Sequence, residues 1–291
     1  MIRMSDKLPE PPATVDRARS FGAVAEAYDR GRPGYPAEAA AWLAGGEAKV
    51  VLELAAGTGK LTRQLVDQGH AVFATEPDEA MLEVLRERVP EVSAKVATAE
   101  EIPANDRSVD VVVVAQAFHW FDHEAALPEI ARVLKPGGHV ALVWNSRDER
   151  IPWVRRMGAI LGRQDLDTSS AEHLVHSDLF GFMEETTFKH WQEIDRESIL
   201  DMARSRSSFA VMDEAERERH LAEVLAFYDD FGRGMDGMRV PYVTRCYRAV
   251  VVDRDEPPSH TDHPDGSDDE GTDGPVVSDG TDTDMLLIDF R

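Results

Sequence analysis

"VVLELAAGTGK", residues 51–61, decides how this chain is read. Residues 50–54 form an apolar run with the length and β-branched content of a buried strand. The small residues Ala55, Ala56, Gly57 and Gly59 break that run into a turn, and helical patterning follows from about Gly59 to Gln68, where Gly69 ends it. A turn built from such residues lets a ligand come close to bare backbone. A phosphate-binding loop would need G-x-x-x-x-G-K-[ST]. Here Leu54 stands five residues before Gly59 and Leu61 follows Lys60, so that reading fails. A dinucleotide fingerprint finds its first pair in Gly57 and Gly59 but meets Thr62 at the third small position, which weakens a nicotinamide or flavin site. What survives is acidic–x–small–x–Gly–x–Gly, carried by Glu53, Ala55, Gly57 and Gly59.

Working outward, the chain alternates helix-like and strand-like segments from Asp16 to about Asn145. Helices are expected at 16–30 and 36–44. "AVFATE" reads as a strand, "PDEAMLEVLRERV" as a helix with Pro77 at its start, "SAKVAT" as a short strand and "VDVVVVA" as a fully apolar one. "DHEAALPEIARVL" is a helix bent or started by Pro128, "KPGG" a turn and "HVALVWN" a fifth strand. This rhythm predicts βαβ units and a parallel sheet covered on both faces. After Asn145 it changes. Residues 151–180 look helical, "ETTFKHWQEI" alternates like an edge strand, two helical stretches follow, and "RVPYVTRCYRAV" reads as a last strand. We expect a helical cap, about 150–235, and two strands that complete the sheet.

Composition narrows the possible functions. The 291 residues are 42% hydrophobic, enough for a sizeable core. Cys246 is the single cysteine, which excludes an internal disulfide and suits a reducing compartment. "MIRMSDKLPEPPATVDR" has no apolar targeting core, and apolar runs such as 111–115 are far too short to span a bilayer, so a cytoplasmic location is expected. The net charge of −23 argues against non-specific nucleic-acid binding. Residues 251–291 hold 13 acidic and 2 basic residues and are rich in Pro, Gly, Ser and Thr, so they are expected to be a disordered acidic tail. Its apolar end, "MLLIDFR", could contact a partner. The histidines show no metal-ligand spacing, and no metal site is expected.

The pattern of Glu53, Ala55, Gly57 and Gly59 resembles the first motif of class I S-adenosylmethionine-dependent methyltransferases, with Ala55 where the family usually has glycine. Glu76, 23 residues after Glu53, ends the second strand. As an acceptor-only carboxylate it suits a ribose diol. "EPDEAML" resembles the second motif, which implies that Pro77 and Met81 flank ribose and adenine. "TAEEIP" resembles the adenine-reading segment, with the match on Ala99 and Glu100; many relatives carry an acid where this chain has Thr98. "VDVVVVAQAFHWFDHEAALPEIARVLKPGG" is similar to the methyltransferase type 11 domain, and Gln116 in its loop is assigned to the cofactor on that likeness. "HWFD" combined with "SFGAVAEAYDRGRPGYP" (20–36) resembles a subgroup that includes proteins similar to trans-aconitate methyltransferases.

The resemblance implies a Rossmann-like α/β fold: a mostly parallel seven-stranded sheet with helices on both faces, the cap after the fifth strand, and the last strand antiparallel. It covers about 20–250 and leaves 1–19 as a flexible lead. It implies an N-terminal segment folded over the cofactor, with Tyr28 near the sulfonium and Arg32 available to a carboxylate. Tyr35, Trp144, Arg147 and Arg150 are the remaining substrate-side candidates, and "ARSRSSF" (203–209) could line the acceptor pocket. Tyr28 and His119 are the candidate bases should the acceptor need one; a carboxylate would not. Trp120 and Phe121 are expected mostly in the core. The expected activity is methyl transfer from S-adenosylmethionine to a small molecule, an oxygen such as a carboxylate. A cofactor-binding module without catalysis, and a nicotinamide oxidoreductase, stay as alternatives.

Overall fold

The run Val50–Leu54 forms β1, buried from its second residue onward. This computed structural model describes residues 29–162, 168–232 and 237–252. Tyr28, the 1–19 lead and residues 253–291 of the expected tail lie outside the described residues. The other strands are β2 (Ala71–Thr75), β3 (Ser93–Lys95), β4 (Val109–Ala115), β5 (Leu134–Arg147), β6 (Phe180–Ile194) and β7 (Met238–Val251). They form one seven-stranded sheet in the order β3-β2-β1-β4-β5-β7-β6. The first five strands pair in parallel, and β7 runs antiparallel to both its neighbours. The strand order reverses between β1 and β4, which is where open α/β sheets form a ligand crevice.

Period-two alternation divides β1 between two cores. Leu52 and Leu54 face a layer with Val112, Val114, Ile130 and Trp144. Val51 faces the opposite layer, with Leu43, Leu61, Leu65, Leu85 and Val113. The helices that supply this second layer are α1 (Ala37–Ala44), α2 (Lys60–Asp67) and α3 (Glu79–Arg88). On the first face lies α4 (His123–Val133), which buries Ala126, Leu127, Ile130 and Val133 at helical spacing. A third core joins α5 (Pro152–Leu161), α7 (Arg196–Arg204) and α9 (Glu214–Phe231) to Val240 and Tyr242 of β7. The short helices α6 (Glu172–Val175) and α8 (Ser207–Ala210) complete the region after β5.

Several boundaries differ from the sequence reading. Pro77 does not start α3; Asp78 caps it, accepting from the backbone N–H groups of Ala80 and Met81. Pro128 lies inside α4, which starts at His123 behind Asp122. "KPGG" does not separate two elements, because β5 absorbs it as a bulge: Leu134 pairs with Val109 and His139 with Val111. The edge strand β6 starts at Phe180, five residues before the expected Glu185, because β7 offers it a partner over nearly its whole length. Val251 is the last residue of β7, so the sheet extends into the first residue expected to be tail. No described helix is long and apolar enough to cross a membrane.

Candidate functional site

Three backbone positions after β1 are left-handed: Ala55 (φ 51°), Gly57 (φ 58°) and Gly59 (φ 83°). The two glycines do different work. A Cβ on Gly57 would meet nothing within 4 Å, so that residue faces open space. A Cβ on Gly59 would stand 2.9 Å from Leu85 Cγ, so that residue lets α2 pack beside α3. Across the switch point, Gln116 at the end of β4 is also left-handed (φ 62°), and its amide donates to the Asn145 carbonyl at 3.3 Å. Between these turns lies an open cleft. Glu53, Ala55, Gly57 and Gln116 line it together with Arg32, Tyr35, Thr58 and Lys60.

Two buried carboxylates stand at the base of the turn. Glu53 shares the core side of β1 with Val51, is 1% exposed, and accepts from the Thr62 hydroxyl at 2.6 Å. Burial pushes its pKa up to about 8, the Thr62 bond opposes this, and the neighbouring Glu76 charge adds to it. Glu76 accepts from Gly57 N at 2.8 Å and Asp78 N at 3.1 Å, and burial pushes its pKa up to about 7 despite both bonds. Thr62, which spoils the dinucleotide fingerprint, is thus the residue that holds Glu53.

The segment 29–35 straps this turn to the helical region beyond β5. Asp29 accepts from the Thr58 hydroxyl at 2.8 Å, lies 3.8 Å from Lys60 Nζ and pairs with Arg88. The Tyr35 carbonyl accepts from Gln64 of α2, and the Gly34 carbonyl accepts from Asn145 at 2.9 Å. In the other direction, Arg30 donates to Asp201 of α7 at 2.6 Å and Arg32 to the Ser205 carbonyl at 3.4 Å. Sequence reasoning missed Asp29, Thr58, Thr62, Asn145 and Asp201. The only signal for Asp29 was its place in "AYDRGRPGYP"; Thr62 lies nine residues from Glu53, and Thr58, Asn145 and Asp201 become recognisable only through long-range pairing.

The remaining expected residues are more dispersed. Met81 is buried in the first turn of α3, and Ala99 is buried in the core beside Phe118. Pro77 is half-buried behind Glu76, and Glu100 accepts from the Asp122 backbone N–H at 3.0 Å, bracing the "HWFD" loop. His119 sits in a 3-10 turn, its ring centroid 4.7 Å from that of Trp120. In that loop Phe118 is fully buried, whereas Trp120 and Phe121, expected mostly in the core, are half-buried. Trp144 is a core residue, 1% exposed and edge-on to Tyr247, and does not line the cleft. Arg150 is exposed and donates to Asp148, as a solvated surface pair does. Arg147 is buried at the end of β5 and donates to the Gly162 carbonyl at 2.8 Å. Cys246 is buried in β7, where burial pushes its thiol up to about 12, so it is a structural residue. Among the described residues, no three His, Cys, Asp or Glu side chains are grouped to hold a metal ion.

Comparisons with known proteins agree with this geometry. Residues 52–142 match the family model described as a methyltransferase domain. An uncharacterized methyltransferase of Mycobacterium bovis is 42% identical over 240 residues, covering 81% of this chain and 98% of that protein. A methyltransferase-like protein of Schizosaccharomyces pombe is 32% identical over 243 residues, covering 80% of this chain and 93% of its own length. A solved Anaeromyxobacter dehalogenans structure described as a type II methyltransferase superposes with TM-score 0.55 at 24% identity, over 75% of this chain and 97% of that one, which speaks for the fold. With a glycine turn at the switch point, two buried acids beside it and a full-length relative at this identity, the chain belongs to the class I S-adenosylmethionine-dependent methyltransferases.

Proposed function

We propose that the cleft between the glycine turn and Gln116 holds S-adenosylmethionine and that the protein methylates a small-molecule acceptor at an oxygen, such as that of a carboxylate. The observation that carries this reading is the pair of buried carboxylates at the turn, Glu53 and Glu76, each pushed up by burial. A ligand with net positive charge would draw these acids into their ionised form and be held by it, whereas a pyrophosphate would gain nothing from them. The bound cofactor would supply a methyl group on a sulfonium, a leaving group that needs no further activation.

The residues present fit that ligand. Gly57 opens onto empty space, so its backbone can be approached closely. Glu53 and Glu76 each use only part of their acceptor capacity on Thr62, Gly57 and Asp78, which leaves lone pairs for an ammonium and for a ribose diol. Pro77, Met81, Ala99 and Glu100 continue from Glu76 toward the adenine side. Gln116 closes the opposite wall. The chain's own contribution to rate is alignment of the acceptor and exclusion of water, with the strap over 29–35 as the cover. A carboxylate acceptor needs no base, which agrees with His119 lying outside the cleft lining. The single buried cysteine supports a reducing, cytoplasmic setting, and the acidic composition supports small-molecule rather than nucleic-acid partners.

Calorimetric titration with S-adenosylmethionine and, separately, with NADH tests the cofactor assignment. Micromolar binding of the sulfonium compound alone is expected. Binding of NADH alone would replace this reading with an oxidoreductase. Cofactor binding without methyl transfer to any of a broad panel of metabolite acids would favour a binding module.

A further inference from the structure

Asn145 lies two residues before the end of β5, 1% exposed, and touches three different parts of the protein. Its backbone carbonyl accepts from the Gln116 amide at 3.3 Å, on the wall of the cleft. Its side-chain nitrogen donates to the Gly34 carbonyl of the strap at 2.9 Å. Its side-chain oxygen accepts from the Thr244 hydroxyl of β7 at 2.6 Å, and that hydroxyl lies 3.1 Å from Nδ1 of His190 on β6. A chain of polar contacts thus runs from the cleft wall across β5, β7 and β6.

The direction of each bond in this chain follows from its ends. The Gly34 carbonyl can only accept, so the Asn145 amide nitrogen must face it and the amide oxygen must face Thr244. That oxygen also can only accept, which commits the single hydroxyl proton of Thr244 to it. The Thr244 oxygen therefore receives from His190, and the ring carries its hydrogen on Nδ1. The other nitrogen, Nε2, is buried without a hydrogen-bond partner, and burial lowers the His190 pKa. A proton there would be a buried donor with no acceptor, so the ring stays neutral. Tyr242 stacks on it, with centroids 5.4 Å and planes 24° apart.

We propose that Asn145 is a positioning residue that seats the strap over the cofactor cleft, and that Thr244 and His190 set the direction its amide faces. The strap lines the cleft with Arg32, Pro33 and Tyr35, on either side of Gly34, so this bond sits within the cover itself. Asn145 connects that cover to the sheet and, through its own carbonyl, to the opposite cleft wall at Gln116. That the cleft holds S-adenosylmethionine rests on the methyltransferase reading; the bond to Gly34 does not.

The test uses the full chain with three substitutions. Thr244→Val is nearly isosteric and removes the hydroxyl that faces the Asn145 oxygen, whereas Thr244→Ser keeps it. Asn145→Asp keeps the acceptor for Thr244 and sets a second acceptor against the Gly34 carbonyl. Hydrogen exchange read by mass spectrometry is expected to speed up at least about fivefold in strap peptides of Thr244→Val and Asn145→Asp, as loss of one buried hydrogen bond implies. Peptides from β1 and α2 should keep their wild-type exchange, and Thr244→Ser should restore the strap. Surface plasmon resonance with S-adenosylhomocysteine should show faster entry and faster release, so that affinity changes less than either rate. A residue that only supports the fold would weaken binding without speeding entry, and that result overturns the proposal. So does wild-type strap exchange in a folded Thr244→Val, or failure of Thr244→Ser to restore it. Should Asn145→Asp fail to fold, the two Thr244 variants decide alone. No S-adenosylhomocysteine binding by the wild-type chain overturns the methyltransferase reading, and strap exchange then still tests Asn145.

Discussion

Gly57 donates its backbone N–H to Glu76 at 2.8 Å, so the turn after β1 and the end of β2 move as one unit. The acid expected to hold the ribose also fixes the backbone expected to cradle the methionine end. Hydrogen bonds to a charged group are worth about 1.5–3 kcal/mol each. Glu76→Ala should therefore weaken S-adenosylmethionine by about 10- to 100-fold in calorimetry and lower thermal stability as Gly57 N and Asp78 N lose their acceptor. Glu76→Gln keeps one carbonyl acceptor and should fall between the two. Equal affinity in all three proteins would remove Glu76 from the site.

Ala55 is an L-residue held at φ 51°, a conformation that costs about 1–2 kcal/mol per non-glycine residue. Glycine removes that strain but gains more freedom in the unfolded chain, worth about 0.4–1 kcal/mol. The difference favours Ala55→Gly by up to about 1.6 kcal/mol. Thermal denaturation should show a melting temperature equal to wild type or a few degrees above it, with cofactor affinity kept or improved. A clear loss of stability would mean that the Ala55 methyl packs against something the turn requires.

The order of strands and helices was legible because β1, β2, β4 and the later part of β5 are distinct apolar runs with Gly, Pro or Asp near an end, and β4 needs no partner to be recognised. Element ends were less legible. Asp78 and Asp122 cap their helices by side-chain bonds that outweigh the nearby prolines, and β6 extends as far as β7 can pair with it. At the site, the glycines and acids were picked out by their spacing together with its resemblance to the methyltransferase motifs. Their supports did not, because Asp29 meets Thr58 across 29 residues and Arg30 meets Asp201 across 171. Trp144 and Arg150 show the converse: the first lies in the right strand and the second just after it, yet alternation sends Trp144 into the core and Asp148 retains Arg150.

Gly31 is where the strap meets α7. A Cβ there would stand 2.6 Å from the Asp201 carbonyl carbon and from Met202 N, backbone atoms that cannot step aside cheaply. Gly31→Ala should therefore lift the strap off α7 while leaving Gly57, Glu53 and Glu76 in place. The expected result is a drop in melting temperature together with at least tenfold slower methyl transfer. Affinity for S-adenosylhomocysteine should change less than the rate. Unchanged turnover would show that the strap is not the cover over the acceptor.

Glu53 makes the apo protein sensitive to alkali. Its folded pKa of about 8 lies above the unfolded value of 4.5, so the folded state holds its proton more tightly. The stabilisation is full below about pH 4.5 and is lost progressively as pH rises through 8. Glu76 acts in the same direction up to about 7. His70, His139 and His190 have pKa values lowered by burial and act in the opposite sense below 6.5, but they are common to wild type and variant. Glu53→Gln keeps the shape and an acceptor for Thr62 without the titration. Each unit of pKa shift corresponds to about 1.4 kcal/mol, and each kcal/mol moves the melting temperature of a domain this size by about 2–4 °C. The melting temperature of Glu53→Gln relative to wild type should therefore climb by about 10 °C between pH 5 and pH 9, most steeply between about 5.5 and 7. A difference that stays flat across that range would mean that Glu53 is ionised in the folded protein, held by a cation rather than by burial.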